Sequence, residues 1–198
     1  AKNEARKKLN LPPDKRIVLY TGQLFTGRGA DTLVEAAKLL PGDARVYLVG
    51  GNQQDIKKFR IQNSEFRIRF VGQRPWSEIP FWLKAADVLV VPHSAKAHAV
   101  GTAEVSLYYI SPMKLFEYMA GGRPIVASDI PSIREVVDES MVFFARADDP
   151  QSFASVIMDV LNNPKEAERR TANSLREVQR YTWETRAEKI LEKICAAR

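Results

Sequence analysis

Ile17-Val18-Leu19-Tyr20-Thr21-Gly22-Gln23-Leu24-Phe25-Thr26-Gly27-Arg28-Gly29 is the stretch whose reading decides the fold. Its first five residues are rich in β-formers and its last eight are a glycine-bearing loop. Leu33, Ala36, Ala37 and Leu40 then recur at helical spacing until Pro41-Gly42 stops them. A strand passing through a glycine loop into a helix is the start of a βαβ unit, and the alternation repeats along the chain. The pattern predicts a strand over 46–49 closed by Gly50-Gly51, a basic helix over 53–62, and a strand over 67–71 ended by Gly72. A short helix over 78–86 leads into the apolar strand 87–91. Beyond a long loop come a helix over 112–120 capped by Gly121-Gly122, a strand over 125–127, a helix over 132–137 and a strand over 142–144. Residues 150–198 are helical throughout in pattern. The class predicted is α/β: a doubly wound, mostly parallel sheet with helices on both faces and a helical C-terminal tail.

Sheets of this kind bind ligands at the carboxyl ends of their strands, where strand order reverses. The loops 22–29, 50–53, 72–76 and 92–111 are therefore the candidate site. The last of these, small and polar from His93 to Tyr109, exceeds the usual connection length and reads as a mobile or functional loop. The loop from Gly22 to Gly29 nearly spells a phosphate-binding P-loop and fails: Arg28 stands for the lysine and Gly29 for the hydroxyl that would hold magnesium. What remains is backbone that can approach a ligand closely, and a guanidinium able to grip a phosphate with two hydrogen bonds.

Composition narrows the possibilities. The 198 residues carry 30 Lys+Arg against 24 Asp+Glu, a net charge of +6, with one cysteine, Cys195, and two histidines, His93 and His98. No disulfide framework or cysteine-based zinc site is possible, and a reducing compartment is expected. No apolar run approaches the roughly 18 residues a membrane helix needs, and the N-terminus has no apolar stretch that would make it a secretory signal. Basic charge concentrates in residues 1–16 and 57–74, each of which can also be a solvated face. No nucleic-acid motif accompanies either, so nucleic acid is not an expected partner.

Ser111-Pro112-Met113-Lys114-Leu115-Phe116-Glu117-Tyr118-Met119-Ala120-Gly121-Gly122 is the sharper motif. Ser111 is suited to the N-cap and Pro112 to the first helical position. A lysine on the first turn opposes the helix dipole, at a cost of roughly 0.3–1 kcal/mol, and a bound phosphate would supply the compensation. Glu117 lies three residues on, on the same face. The alternative is an exposed Lys114–Glu117 ion pair worth a few tenths of a kcal/mol.

From Lys114 through Arg123-Pro124-Ile-Val-Ala-Ser-Asp129-Ile-Pro131-Ser-Ile-Arg134-Glu135, the chain resembles the donor-binding signature of retaining glycosyltransferases of the GT-B fold, the glycosyltransferase group 1 family. Further matches run from Leu19-Tyr-Thr-Gly22 and Arg28-Gly29 through Leu48-Val-Gly50-Gly51, Phe70-Val-Gly72 and Ala86-Asp87-Val-Leu-Val-Val-Pro92 to Tyr181-Thr-Trp183-Glu184. The resemblance implies that residues 1–198 form a single nucleotide-sugar-binding domain, the Rossmann-like C-terminal half of a GT-B fold, and that the N-terminal acceptor-binding domain is absent from this chain.

The resemblance also implies roles. Glu117, the second acid of the family's E-x7-E motif, would take the ribose, and Tyr109 stands where the first, sugar-contacting acid would be. Gln23 replaces the arginine of the first glycine loop and Arg28 its lysine, with Lys114 restoring the missing charge. Arg28 and Lys114 are then the expected catalytic groups, stabilising the departing diphosphate. Gly22, Gln23, Arg28, Gln73, Arg74, Tyr109, Ser111, Met113, Lys114 and Glu117 are the expected donor-binding set, with Gln73 and Arg74 at the base edge and Trp76 nearby to stack. No Asp-x-Asp occurs, so no metal and no cofactor beyond the donor substrate is expected. The donor is expected to be a UDP-sugar ahead of a GDP- or ADP-sugar, and the acceptor a glycan or lipid-linked sugar. The expected location is the cytoplasm, with peripheral membrane contact left open. A sugar-nucleotide epimerase of the same fold and a non-catalytic nucleotide-sugar-binding module are the alternatives. His93 and His98 are expected to be solvent-exposed and without a catalytic role.

Overall fold

A computed structural model of the chain describes residues 1–24, 28–62, 67–96 and 112–196. Six strands form one sheet: β1 (Arg16–Thr21), β2 (Ala44–Val49), β3 (Ile68–Gly72), β4 (Val88–Val91), β5 (Ile125–Ser128) and β6 (Phe143–Ala145). All neighbours pair in parallel, in the order β3-β2-β1-β4-β5-β6. Parallel strands require crossovers, and helices supply them. They are α2 (Ala30–Leu39), α3 (Gln53–Gln62), α4 (Ile79–Ala85, preceded by a 3-10 turn), α5 (Met113–Gly121) and α6 (Pro131–Arg134), while α7 (Pro150–Asn162) comes after the last strand. α1 (Lys2–Lys8) precedes the sheet, and α8 (Pro164–Glu177) and α9 (Trp183–Ala196) follow it.

β4 is apolar at every position, and β1 carries only Ile17, Val18, Leu19 and Tyr20 between Arg16 and Thr21, because both faces of the sheet are covered. Val18 and Tyr20 of β1 and Val88 and Val90 of β4 pack in the core shared with α2 and α7. Ile17, Leu19, Leu89 and Val91 pack on the other face with residues of α4 and α5. The doubly wound class is thus observed. The chain leaves β1 outward to β2 and β3, then returns to β4 on the other side of β1. That reversal puts the switch point between the carboxyl ends of β1 and β4.

Several boundaries differ from the sequence reading. α5 begins at Met113, with Pro112 at the cap position and its carbonyl accepting from the Leu115 N–H at 2.7 Å. Ser111, expected as the cap, lies outside the described residues. The tail is three helices, interrupted at Asn163 and after Arg180. α9 buries none of its residues, and Trp183, Ile190, Leu191 and Ile194 are all at least half exposed. Among the described residues no helix is long and apolar enough to cross a membrane.

α1 was not anticipated. Its anchor is Arg6, which is 4% exposed and donates to the carbonyls of Ala85, Pro13 and Lys15 and to Asp87 Oδ2, the last at 2.6 Å. Asp87 also accepts from Lys2 Nζ and from the Ile17 N–H, each at 2.6 Å. A buried guanidinium is tolerated only when its N–H groups are satisfied in this way. One carboxylate therefore ties α1, β1 and the start of β4 together, at the end of the sheet opposite the switch point.

Candidate functional site

A cleft of about 750 Å3 opens over the carboxyl ends of the strands. It is lined from four strand ends, from Ile79 at the start of α4, and from the start of α5. β1 and its loop supply Tyr20, Thr21, Gly22, Gln23 and Arg28; β2 supplies Val49, Gly50 and Gly51. Gln73, Arg74 and Trp76 follow β3, His93 follows β4, and Pro112, Met113, Lys114 and Glu117 come from the start of α5. All four loops singled out by the sheet topology contribute.

α5 is held over the cleft by Tyr118, whose wholly buried hydroxyl accepts from the Thr21 N–H at 2.7 Å and lies 3.2 Å from Thr21 Oγ1. This anchor directs Lys114, four residues earlier and on the same face, toward β1. Its ammonium stands 3.8 Å from the centroid of the Tyr20 ring. The Tyr20 hydroxyl in turn donates to the Gln23 carbonyl at 2.7 Å, bracing the loop. Burial first, and the Arg28 charge second, pull the Lys114 pKa down to about 7, against an opposing pull from Glu117. Among the described residues no ion pair joins Lys114 to Glu117, so the exposed-pair alternative is not what the structure shows. Glu117 is itself held above the usual carboxylate range by burial, partly offset by Lys114.

The glycines act in a way the sequence reading did not foresee. A side chain at Gly29 (φ +73) would begin 1.4 Å from the Pro92 carbonyl oxygen, and one at Gly50 (φ +124) would begin 2.1 Å from the Gly22 carbonyl oxygen. Both are spent on backbone meeting backbone, which draws the ends of β1, β2 and β4 together. A side chain at Gly22 (φ +140) would begin 2.7 Å from the Lys114 ammonium. Gly29 also caps α2, so an anion beside Arg28 would meet the N-terminal end of that helix.

Of the expected residues, Gly22, Gln23, Arg28, Gln73, Arg74, Met113, Lys114 and Glu117 all line this one cleft. Gln73, Arg74 and Trp76 form an exposed rim, and the Gln23 side chain is exposed as well. Tyr109, Ser111 and His98 lie outside the described residues. His93, expected at the surface, is instead only 8% exposed. Burial, followed by the charges of Lys114 and Arg28, lowers its pKa to about 4, so it is neutral near pH 7. Tyr20 was read only as a strand residue; its position at the last turn inward before Gly22 was the available signal. Among the described residues the cleft thus combines cations with a single carboxylate, Glu117, able to accept hydrogen bonds from hydroxyls. Among the described residues no three His, Cys, Asp or Glu side chains are grouped to hold a metal.

The chain is 25% identical to a D-inositol 3-phosphate glycosyltransferase of Thermomonospora curvata over 96% of its own length and 45% of that protein. It is 27% identical to a phosphatidyl-myo-inositol mannosyltransferase of Mycobacterium leprae, over 89% and 45% respectively. The chain spans about half the length of the curated relatives it matches. Among solved structures, Anabaena HepE in complex with UDP superimposes with a TM-score of 0.83 at 20% identity, covering 98% of this chain and 52% of that one. Sucrose-phosphate synthase from Thermosynechococcus elongatus superimposes at 0.80 with 28% identity, covering 99% and 49%. These are GT-B proteins, and the chain corresponds to their C-terminal half. The model of the family described as glycosyl transferases group 1 matches residues 1–177, and the chain belongs to that family.

Proposed function

We propose that the chain is the donor-binding domain of a retaining, metal-independent glycosyltransferase that moves a sugar from a nucleoside diphosphate to a glycan or lipid-linked acceptor. The observation that carries this reading is the Lys114 ammonium, which faces Tyr20 at the strand switch point, in one cleft with Arg28, and has no carboxylate partner among the described residues. A cation placed there against its own helix dipole is compensated by a bound diphosphate. As the bond to the anomeric carbon breaks, charge grows on the leaving diphosphate, and Arg28, Lys114 and the start of α2 stabilise it. Glu117 takes the ribose hydroxyls, and Gln73 and Arg74 take the base edge with Trp76 beside them.

UDP is the proposed nucleotide, a reading supported by the HepE complexes with UDP and with UDP-glucose. The acceptor would be held by a separate N-terminal domain, and the enzyme would work in the cytoplasm with peripheral contact to a membrane. Calorimetric titration with UDP-glucose, GDP-mannose and ADP-glucose tests the reading: saturable binding of at least one is expected, and its absence for all three would refute it. A non-catalytic binding module is favoured by Gln23 and Tyr109, uncharged residues that stand where the family has an arginine and an acid. A glycosidic product from the two-domain enzyme would exclude both that module and an epimerase.

A further inference from the structure

His93 is a buried polar side chain that the roles assigned above leave unused. It lines the cleft, is 8% exposed, and its imidazole makes no hydrogen bond among the described residues. Its backbone is firmly placed. The wholly buried Ser128 hydroxyl donates to the His93 carbonyl at 2.6 Å, and the preceding Pro92 carbonyl fills the space at Gly29. Its ring nitrogens are not among the fully buried unpartnered atoms of the described residues, so they are reachable from the cleft and open to a ligand there.

The sheet acts as a ruler for which part of the ligand does so. Base-edge residues follow β3, the glycine pair follows β2, Arg28 and the Lys114 pocket follow β1, and His93 follows β4. Adjacent strands stand about 4.8 Å apart, so β3 to β4 spans roughly 14 Å in three steps. An extended nucleoside diphosphate sugar laid along that line puts its base at β3, its diphosphate at β1 and its sugar one step on, at β4.

Resting on the donor-binding reading, we infer that His93 is a specificity-determining contact whose imidazole hydrogen-bonds a hydroxyl of the transferred sugar. Chemistry favours the sugar over the phosphates. A neutral imidazole offers one N–H and one lone pair, and a hydroxyl can use either, whereas a phosphate can use only the N–H. Arg28 and Lys114, which already serve the diphosphate, are among the causes that keep the ring neutral.

The test compares each nucleotide with its sugar conjugate, UDP with UDP-glucose and UDP-N-acetylglucosamine, and GDP with GDP-mannose. Wild type, His93→Leu and His93→Asn are titrated, and the readout is the ratio of the two dissociation constants in each pair. For the conjugate that binds best, His93→Leu should change that ratio about tenfold while leaving the parent nucleotide's affinity within about twofold. His93→Asn, which keeps a donor and an acceptor, should restore part of the change and serves alone if the leucine variant does not fold. An equal loss for nucleotide and conjugate would assign His93 to the diphosphate and overturn the inference, as would an unchanged ratio in both variants. Failure of wild type to bind any nucleotide would instead refute the donor-binding reading itself.

Discussion

The Lys114 ammonium lies 3.8 Å from the centroid of the Tyr20 ring, and among the described residues no carboxylate pairs with it. The aromatic face is a weak partner, worth roughly 0.5–2 kcal/mol. It leaves the charge available to an incoming anion, and the lowered pKa of about 7 records how incompletely the protein itself satisfies it.

Donor binding should therefore take up a proton. A bound diphosphate favours charged Lys114, and a nucleotide sugar has no phosphate ionisation of its own near neutrality. UDP-glucose affinity is expected to be level below pH 7 and to fall as pH rises above it, with about half a proton taken up at pH 7. Calorimetry in buffers of different ionisation enthalpy measures this uptake directly. Lys114→Met should abolish it and weaken binding by roughly 1.5–3 kcal/mol. A wild-type enthalpy that is the same in every buffer would rule the linkage out.

The same group has a consequence for stability without ligand. Its folded pKa lies below the unfolded value of 10.5, so between pH 7 and 10.5 the unfolded chain holds the proton more tightly. The contribution of Lys114 to stability thus rises with pH through that window and is fully unfavourable below it. Lys114→Met should be more stable than wild type at pH 6, with the gain fading toward pH 10. Denaturant titrations at the two pH values would show whether the difference shrinks as required.

Glu117→Gln should blunt ribose recognition, because one oxygen able to accept from a hydroxyl becomes an amide nitrogen that can only donate. Wild type is expected to prefer UDP to its 2′,3′-dideoxy analogue, and the variant to lose that preference. If the preference survives intact, Glu117 does not touch the ribose.

The sheet was legible because every strand and crossover carries its own periodicity, and the cleft because topology alone says which loops converge. What escaped the sequence was set by distant partners. Arg6 reads as one more charge in a basic N-terminus, since the carboxylate that makes it structural lies 81 residues away. His93 reads as a loop residue, since its burial depends on packing after β4, while Gly29 and Gly50 suggest room for a ligand where the room is taken by another stretch of backbone.

Arg6→Ala should cost about 3–5 kcal/mol, the range for removing one partner of a buried ion pair. Nucleotide affinity in the folded protein should stay within about twofold of wild type, because the Arg6–Asp87 contact lies at the far end of β1 from the cleft. Urea denaturation supplies the first number. A loss below about 1 kcal/mol would return Arg6 to the class of surface charges.

Gly50→Ala should cost at least ~1–2 kcal/mol for its left-handed backbone alone, and more for the 2.1 Å approach to the Gly22 carbonyl. Since relief of that contact moves the Gly22 loop, UDP affinity should fall with stability. Gly42→Ala is the control: nothing lies within 4 Å of the added carbon, so stability should change by less than about 1 kcal/mol. Equal behaviour of the two variants would show that the β1–β2 contact does not shape the cleft.

Transfer should need more than this chain. Positioning two reactants against each other supplies roughly 7–11 kcal/mol of barrier reduction, and on the proposed reading this chain holds the donor while a separate domain holds the acceptor. These 198 residues are expected to bind a nucleotide sugar yet form no glycosidic product, and to do so only when joined to an acceptor domain from a relative. α9 offers a way to probe the join. Because none of its residues is buried, ending the chain at Thr182 should leave donor affinity and stability nearly unchanged. The exposed face of Trp183, Ile190, Leu191 and Ile194 would then be lost, and restored transfer should drop at least tenfold. Robust transfer by the 198 residues alone would contradict the two-domain reading, and full restoration without α9 would show that this helix has no part in the assembly.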